Sequence, residues 1–292
     1  MKNLHIRSFA KINISLNITK KREDGFHEID SVMLPISLHD SLVVSKLNKS
    51  TDNFVTVDDF SNGSFSYNLA TFSIDKLQSV YHFDQKFRIL IHKVIPIQAG
   101  LGGGSSNAAC SLKAVNTLLK LGATDEELMD IGKTLGCDIP FFVKCKPARC
   151  QGIGEILTPI EIKNNYYVLL VKPEAGCSTK EVYQVADSMN LPVCNVENVI
   201  KALQDGNDEL LANNISNALQ GPAISLVPNI QTIIEEMRDF GLKIVQLTSR
   251  STDRCCRSKS SRSASRAWRS CTRASQSSFA PTARRPTKSW WT

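Results

Sequence analysis

The chain has 292 residues, 42% hydrophobic and 22% charged, the balance of a globular protein with material for one large domain or two ordinary ones. No run of about 18 apolar residues could span a membrane. The opening Met1-Lys2-Asn3-Leu4-His5-Ile6-Arg7 lacks a signal core and a transit pattern, so a cytoplasmic protein without a membrane partner is expected.

The formal charge of +7 is unevenly spread. Residues 250–292 hold eleven Lys/Arg against the single acid Asp253, which leaves 1–249 mildly acidic and argues against a nucleic-acid partner. The nine cysteines show no C-x-x-C pair and no zinc spacing, and read as free thiols.

In chain order, residues 4–18 and 41–46 alternate and predict strands. A helix is expected over 69–81, a strand over 87–94, and a Gly-rich loop over 96–104. A helix over 105–121 follows, stopped by Gly122. Thr124-Asp125-Glu126-Glu127 is a capping box that opens another helix. Residues 141–145 and 166–172 read as strands. Residues 179–189, 196–204, 209–219 and 229–240 read as helices, and 242–247 as a strand. Strands and helices mix without steady βαβ alternation, so the fold class is α+β. A boundary near 155–165 separates two domains. After Leu247 there is no Ile, Leu, Val or Met, so 249–292, rich in Arg and Ser, is expected to be disordered.

Three motifs carry chemistry. Pro96-Ile97-Gln98-Ala99-Gly100-Leu101-Gly102-Gly103-Gly104-Ser105-Ser106 lies between a strand and a helix. Its glycines let backbone N–H groups face an anion, and the helix N-terminus adds unpaired donors, which together predict a phosphate cradle. It is neither the P-loop, since no Lys follows the glycines, nor the dinucleotide fingerprint. The second motif is Ala10-Lys11-Ile12-Asn13 with Asp24-Gly25-Phe26-His27-Glu28; Lys11 and Asn13, two apart on a strand, share a face. The third is Gly136-Cys137-Asp138-Ile139-Pro140-Phe141, in which Asp138 is either a cap or a functional carboxylate.

These motifs, in this order, resemble the GHMP kinase superfamily, and within it the kinases of a cytidylyl sugar-alcohol phosphate, 4-diphosphocytidyl-2-C-methyl-D-erythritol. The likeness runs from about residue 6 to 248 and includes Gln151-Gly152-Ile153-Gly154-Glu155. It implies an S5-like N-terminal domain over 1–160 and a ferredoxin-like α/β sandwich over 161–248. It also implies an ATP-dependent kinase of isoprenoid precursor synthesis that uses Mg2+. By the same resemblance Asp138 is the base and Lys11 its basic partner. Residues 96–106 hold the ATP phosphates, and Asn68 lies near the adenine. Asn13 lies in the substrate pocket, His27 reads the cytosine, Phe26 and Tyr183 sandwich it, and Thr179 is a polar contact beside them. No metal ligand set is assigned, although Ser106 is a candidate.

The likeness stops near Thr248. Where the superfamily continues with a second Gly-rich turn, the chain reads Ser249-Arg250-Ser251-Thr252-Asp253. Retained length with lost hydrophobicity is the mark of a reading-frame shift, which the sequence leads us to expect for 249–292. An incomplete C-terminal domain, with its last strand lacking partners, is the corresponding structural expectation.

Overall fold

The computed structural model describes residues 3–48, 50–58, 68–173, 175–248 and the backbone of 254–258. Two long strands, β1 (Asn3–Lys21) and β2 (His27–Leu47), form an antiparallel hairpin that runs the length of the larger sheet. One edge of β2 carries β4 (Lys86–His92) against residues 41–47 and β5 (Ala148–Gln151) against residues 31–33. Beyond these lie β3 (Phe54–Asp58), parallel to β4, and β6 (Ile156–Pro159), antiparallel to β5.

The hairpin's register slips at Phe9/Ala10 and again at Asn13/Ser15, so two irregularities bracket Lys11 and Asn13. Such bulges re-aim side chains and recur beside active sites. Residues 10–16 are buried on both faces, which erases the alternation a half-buried strand would show.

Helices α1 (Leu69–Tyr81), α2 (Gly103–Leu119), α3 (Asp125–Lys133) and α4 (Ile139–Lys144) cover one face of this sheet. Phe87, Ile89, Ala108, Leu112 and Phe141 are fully buried in that core. α1 buries Ala70, Ile74 and Leu77, while Val80 stays exposed. The expected capping box is present: Thr124 Oγ1 accepts from Glu127 N, and Glu127 Oε2 from Thr124 N.

Three expectations fail. Residues 141–144 are helical and Cys145 caps the helix, so the strand expected over 141–145 is absent. The apolar run of α4 shows no periodicity, but Pro140 in its first turn preorganises a helix, and Cys145 in the left-handed region ends it. The helix expected over 209–219 stops at Asn214, and a separate α8 (Gln220–Leu226) follows α7 (Asp208–Asn214). Between them Asn217 bridges to Leu16 of the hairpin, while its side chain donates to Leu247 O.

The third failure concerns the tail. After β7 (Tyr167–Val171), α5 (Thr179–Ala186), α6 (Val196–Asp205) and α9 (Asn229–Asp239), strand β8 (Ile244–Leu247) does not lack a partner. β9 (Arg254–Ser258) lies between β7 and β8, antiparallel to both, inside the segment expected to be disordered. Main-chain pairing needs no apolar side chain, and two unpaired strand edges supply the template. The rest of the tail lies outside the described residues. Among the described residues, no helix is long and apolar enough to cross a membrane.

Candidate active site

The Gly-rich loop leads from β4 into α2. Gly100 (φ 65°) and Gly102 (φ 71°) take left-handed conformations that only glycine adopts without strain. Gly102 is the residue before the first turn of α2, so the helix N-terminus opens onto the loop. A Cβ at Gly102 would stand 2.5 Å from Phe142 Cζ and 3.3 Å from Lys11 Cγ. The loop, the strand bearing Lys11 and the helix following Asp138 therefore converge at that glycine.

The loop lines a cavity of about 430 Å³. Pro96, Ile97, Gln98, Ala99, Gly100, Leu101, Gly102, Gly103, Gly104 and Ser105 all face it, as does Asn68. Asn68 also caps α1, its Oδ1 accepting from Ala70 N at 2.9 Å. Ser106 does not line the cavity; its hydroxyl accepts from Ser8 Oγ at 2.7 Å in the buried interior. Asn107 does line it, and its buried Oδ1 has no hydrogen-bond partner.

Lys11 is 3% exposed, far from the usual fate of a strand lysine. Its Nζ donates to Asn13 Oδ1 at 2.7 Å, as two residues on one strand face can. Asn13 is held in turn: its Nδ2 donates to Ser31 Oγ, and its backbone N to Thr248 Oγ1 at 2.8 Å. Asp138 occupies the cap position of α4 yet makes no capping hydrogen bond. Its Oδ1 is buried and has no partner. A carboxylate oxygen buried without a donor is costly, so the fold holds it for something other than capping α4.

A second cavity, of about 490 Å³, opens between the β1–β2 turn and α5. Phe26 and His27 line one wall, Thr179 and Tyr183 the other, and Ile153 of the Gln151–Glu155 block a third. Phe26 is 53% exposed, so its ring is open to a ligand in this cavity. The His27 and Tyr183 rings stack, with centroids 4.5 Å apart and planes inclined by 24°.

Sequence reasoning missed three residues here. Asp187, at the C-terminal end of α5, accepts from His27 Nε2 at 2.7 Å and from Lys21 Nζ at 2.5 Å. The Lys21 ammonium, and after it His27, hold its carboxyl below the usual range. Lys93 lines the loop cavity, and its Nζ donates to the fully buried Asp40 at 2.7 Å. Asp40 also accepts from the backbone of Val94 and Ile95, and so braces the chain where it leaves β4 for the loop. Partners 53 or 160 residues away leave no local signal.

The sequence model of the GHMP kinases N terminal domain matches residues 68–146, from the cap of α1 through α4. A 4-diphosphocytidyl-2-C-methyl-D-erythritol kinase of Caldicellulosiruptor bescii is 33% identical over 238 residues, 81% of this chain and 82% of that protein. One of Alkaliphilus metalliredigens is 36% identical over 239 residues, 82% of this chain and 80% of the relative. Among solved structures, a 4-(cytidine 5'-diphospho)-2C-methyl-D-erythritol kinase superposes with a TM-score of 0.77 at 30% identity, covering 93% of this chain and 96% of that one. A homoserine kinase from Cytophaga hutchinsonii shares the fold alone, with a TM-score of 0.71 at 15% identity. These likenesses place the chain in the 4-diphosphocytidyl-2-C-methyl-D-erythritol kinase family of the GHMP kinases.

Proposed function

We propose that this chain transfers the γ-phosphoryl group of ATP to the 2-hydroxyl of 4-diphosphocytidyl-2-C-methyl-D-erythritol, a step toward isoprenoid precursors. The observation that carries the reading is the buried, partnerless Oδ1 of Asp138, on a helix that meets Lys11 and the phosphate loop at Gly102. The substrate oxygen attacks the γ-phosphorus as the bond to the β–γ bridging oxygen breaks, and Asp138 takes the hydroxyl proton. Lys11, steadied by Asn13, offers its ammonium to the charge on the transferring group.

Residues 96–106 hold the nucleotide phosphates with backbone donors, and Asn68 lies by the adenine. Phe26, His27, Thr179 and Tyr183 hold the cytosine end in the second cavity. In this reading residues 1–160 form the ATP-binding domain and 161–248 a second domain that brings α5 to the cytosine.

Mg2+ fits a site of this chemistry when carried in by the phosphates, since it favours oxygen ligands and keeps several waters. Among the described residues no cluster of acids, His or Cys could hold it alone. The unpartnered Asn107 Oδ1, in the first turns of α2 and facing the loop cavity, is the oxygen this chain would contribute. Bound there, the ion would neutralise phosphate charge.

Coupled ADP-release assays with the cytidylyl substrate, mevalonate and homoserine test the proposal. ADP should appear with the cytidylyl substrate only. ADP with mevalonate or homoserine instead would refute the substrate assignment. ATP binding with no turnover of any acceptor would mark a nucleotide-binding remnant, consistent with the lost Gly-rich segment after Thr248.

A further inference from the structure

The contact between His27 and Asp187 joins the two walls of the second cavity. His27 opens β2, opposite Lys21 in the hairpin register, and Asp187 ends α5, the helix that carries Thr179 and Tyr183. The His27 side chain is only 8% exposed, with its ring face on Tyr183 and its Nε2 on Asp187 Oδ1. An ionised carboxylate can only accept, so Nε2 must carry the proton. In the neutral ring, Nδ1 is then an acceptor, and among the described residues it has no hydrogen-bond partner.

We propose that Asp187 is the positioning residue that sets base selectivity: it locks His27 in the tautomer whose Nδ1 accepts, which suits the exocyclic amine of a cytosine and opposes the keto oxygen of a uracil. The proposal rests on reading this cavity as the cytidylyl site. The charged neighbours are Lys21, whose Nζ donates to Asp187 Oδ2, and Lys180, which lines the same cavity. Lys21 thereby fixes which face of the carboxylate meets the histidine. A site that pairs a ligand's polar group rejects the isostere that leaves two acceptors face to face.

The geometry makes Asp187→Asn diagnostic. The Lys21 ammonium would claim the amide oxygen, turning the amide NH2 toward His27 Nε2. Nε2 would then accept, and the proton would move to Nδ1. The cavity would keep its shape but present a donor where it had an acceptor. In a Lys21→Met, Asp187→Asn double variant nothing holds the amide oxygen, so it can turn back to Nε2–H.

The probes are CDP and UDP, titrated calorimetrically into the full chain at about pH 8. The parent should bind CDP at least about tenfold more tightly than UDP, on the scale of one satisfied against one opposed hydrogen bond. Asp187→Asn should bring the ratio to about one or below while UDP binding holds or improves, and the double variant should recover part of the CDP preference. A purely structural Asp187 would weaken both ligands together. If the parent prefers CDP and Asp187→Asn keeps that ratio, or the double variant recovers nothing, the tautomer lock is overturned while the cytidylyl reading stands. If the parent binds neither nucleotide, or both equally, the reading of the cavity falls and the lock with it.

Discussion

Asp138 shows how a residue with an ordinary local explanation can be reassigned by its atoms. Its position before Ile139-Pro140 is that of a helix cap, and the sequence leaves cap and functional carboxylate both open. The side chain makes no capping bond, and one oxygen is buried without a donor. Lys11 carries the same message: a lysine on a strand is ordinarily a solvated charge, yet this one is buried and tied to Asn13. Asp138→Asn keeps shape and removes the base. It should lower kcat by roughly 10²–10⁴-fold, the usual contribution of a positioned general base, with ATP affinity nearly unchanged. Steady-state kinetics with separate nucleotide titration checks this; activity within a few-fold of the parent would take Asp138 out of the proton transfer. What was legible at this scale was residue type and motif order. The roles of Asp187, Lys93 and Asp40 were hidden, because each depends on a partner brought from a distant segment.

At the scale of elements, the phosphate loop is the part that local sequence specified best. Gly100 and Gly102 sit where positive φ requires glycine, and Gly102, which also meets Phe142, is the more constrained. Gly102→Ala would put a methyl group into Phe142 at a residue already in the left-handed region. The two penalties together should cost about 2–4 kcal/mol, from backbone strain and overpacking. Thermal unfolding and nucleotide titration should both show it, and a variant as stable as the parent would mean that Phe142 can move aside.

α5 and the hairpin give a second element-scale expectation, with its sign set by Asp187. Its carboxyl lies below the usual range, so the contact stabilises the fold above the unfolded-state value of about 4 and is lost only as pH falls through the lower folded value. The His27–Asp187 pairing, followed by the ring nitrogen resonances of His27, should therefore survive acidification to about pH 5 and break below about pH 4. Loss already at pH 6 would mean that the Asp187 carboxyl is not held below the usual range. Elements with strong local signals, such as the capped α3 and the amphipathic α9, were legible. α4 was not, because five consecutive buried apolar residues carry no period from which to tell helix from strand. The short β3, β5 and β6 escaped for a related reason: four or five residues gain their meaning from the neighbours they pair with.

For the whole molecule, the decisive joint is where the last strands meet the hairpin that bears the site. Gln246 donates to the backbone oxygens of Asn13 and Ile14, and Thr248 exchanges hydrogen bonds with Asn13. Arg149 of β5 grips Asp30 of β2 with two nitrogens and reaches Glu197 of α6 with a third. The position of Lys11 and Asn13 thus depends on β8 keeping its own place, and β8 pairs with β9. Composition alone predicted that nothing after Thr248 would fold, since a segment without Ile, Leu, Val or Met cannot bury an apolar face. That reasoning omits the main chain: β7 and β8 each offer a free edge, and β9 pairs with both. A chain ended after Thr248 would lose the middle strand of this sheet and leave both neighbours unpaired. With a net contribution of roughly 0.5–1.5 kcal/mol per hydrogen bond, the loss should reach a few kcal/mol and lower Tm by on the order of 10 °C. Because β8 anchors Asn13, the shortened chain should also lose phosphoryl transfer more than nucleotide binding, since the loop and α2 draw on the larger sheet. Unfolding curves for the two lengths, with amide exchange at Arg254–Ser258 in the full chain, decide between composition and pairing. Equal Tm values with unprotected amides would mean that β9 contributes no stability, and that the support of Asn13 ends with β8 itself.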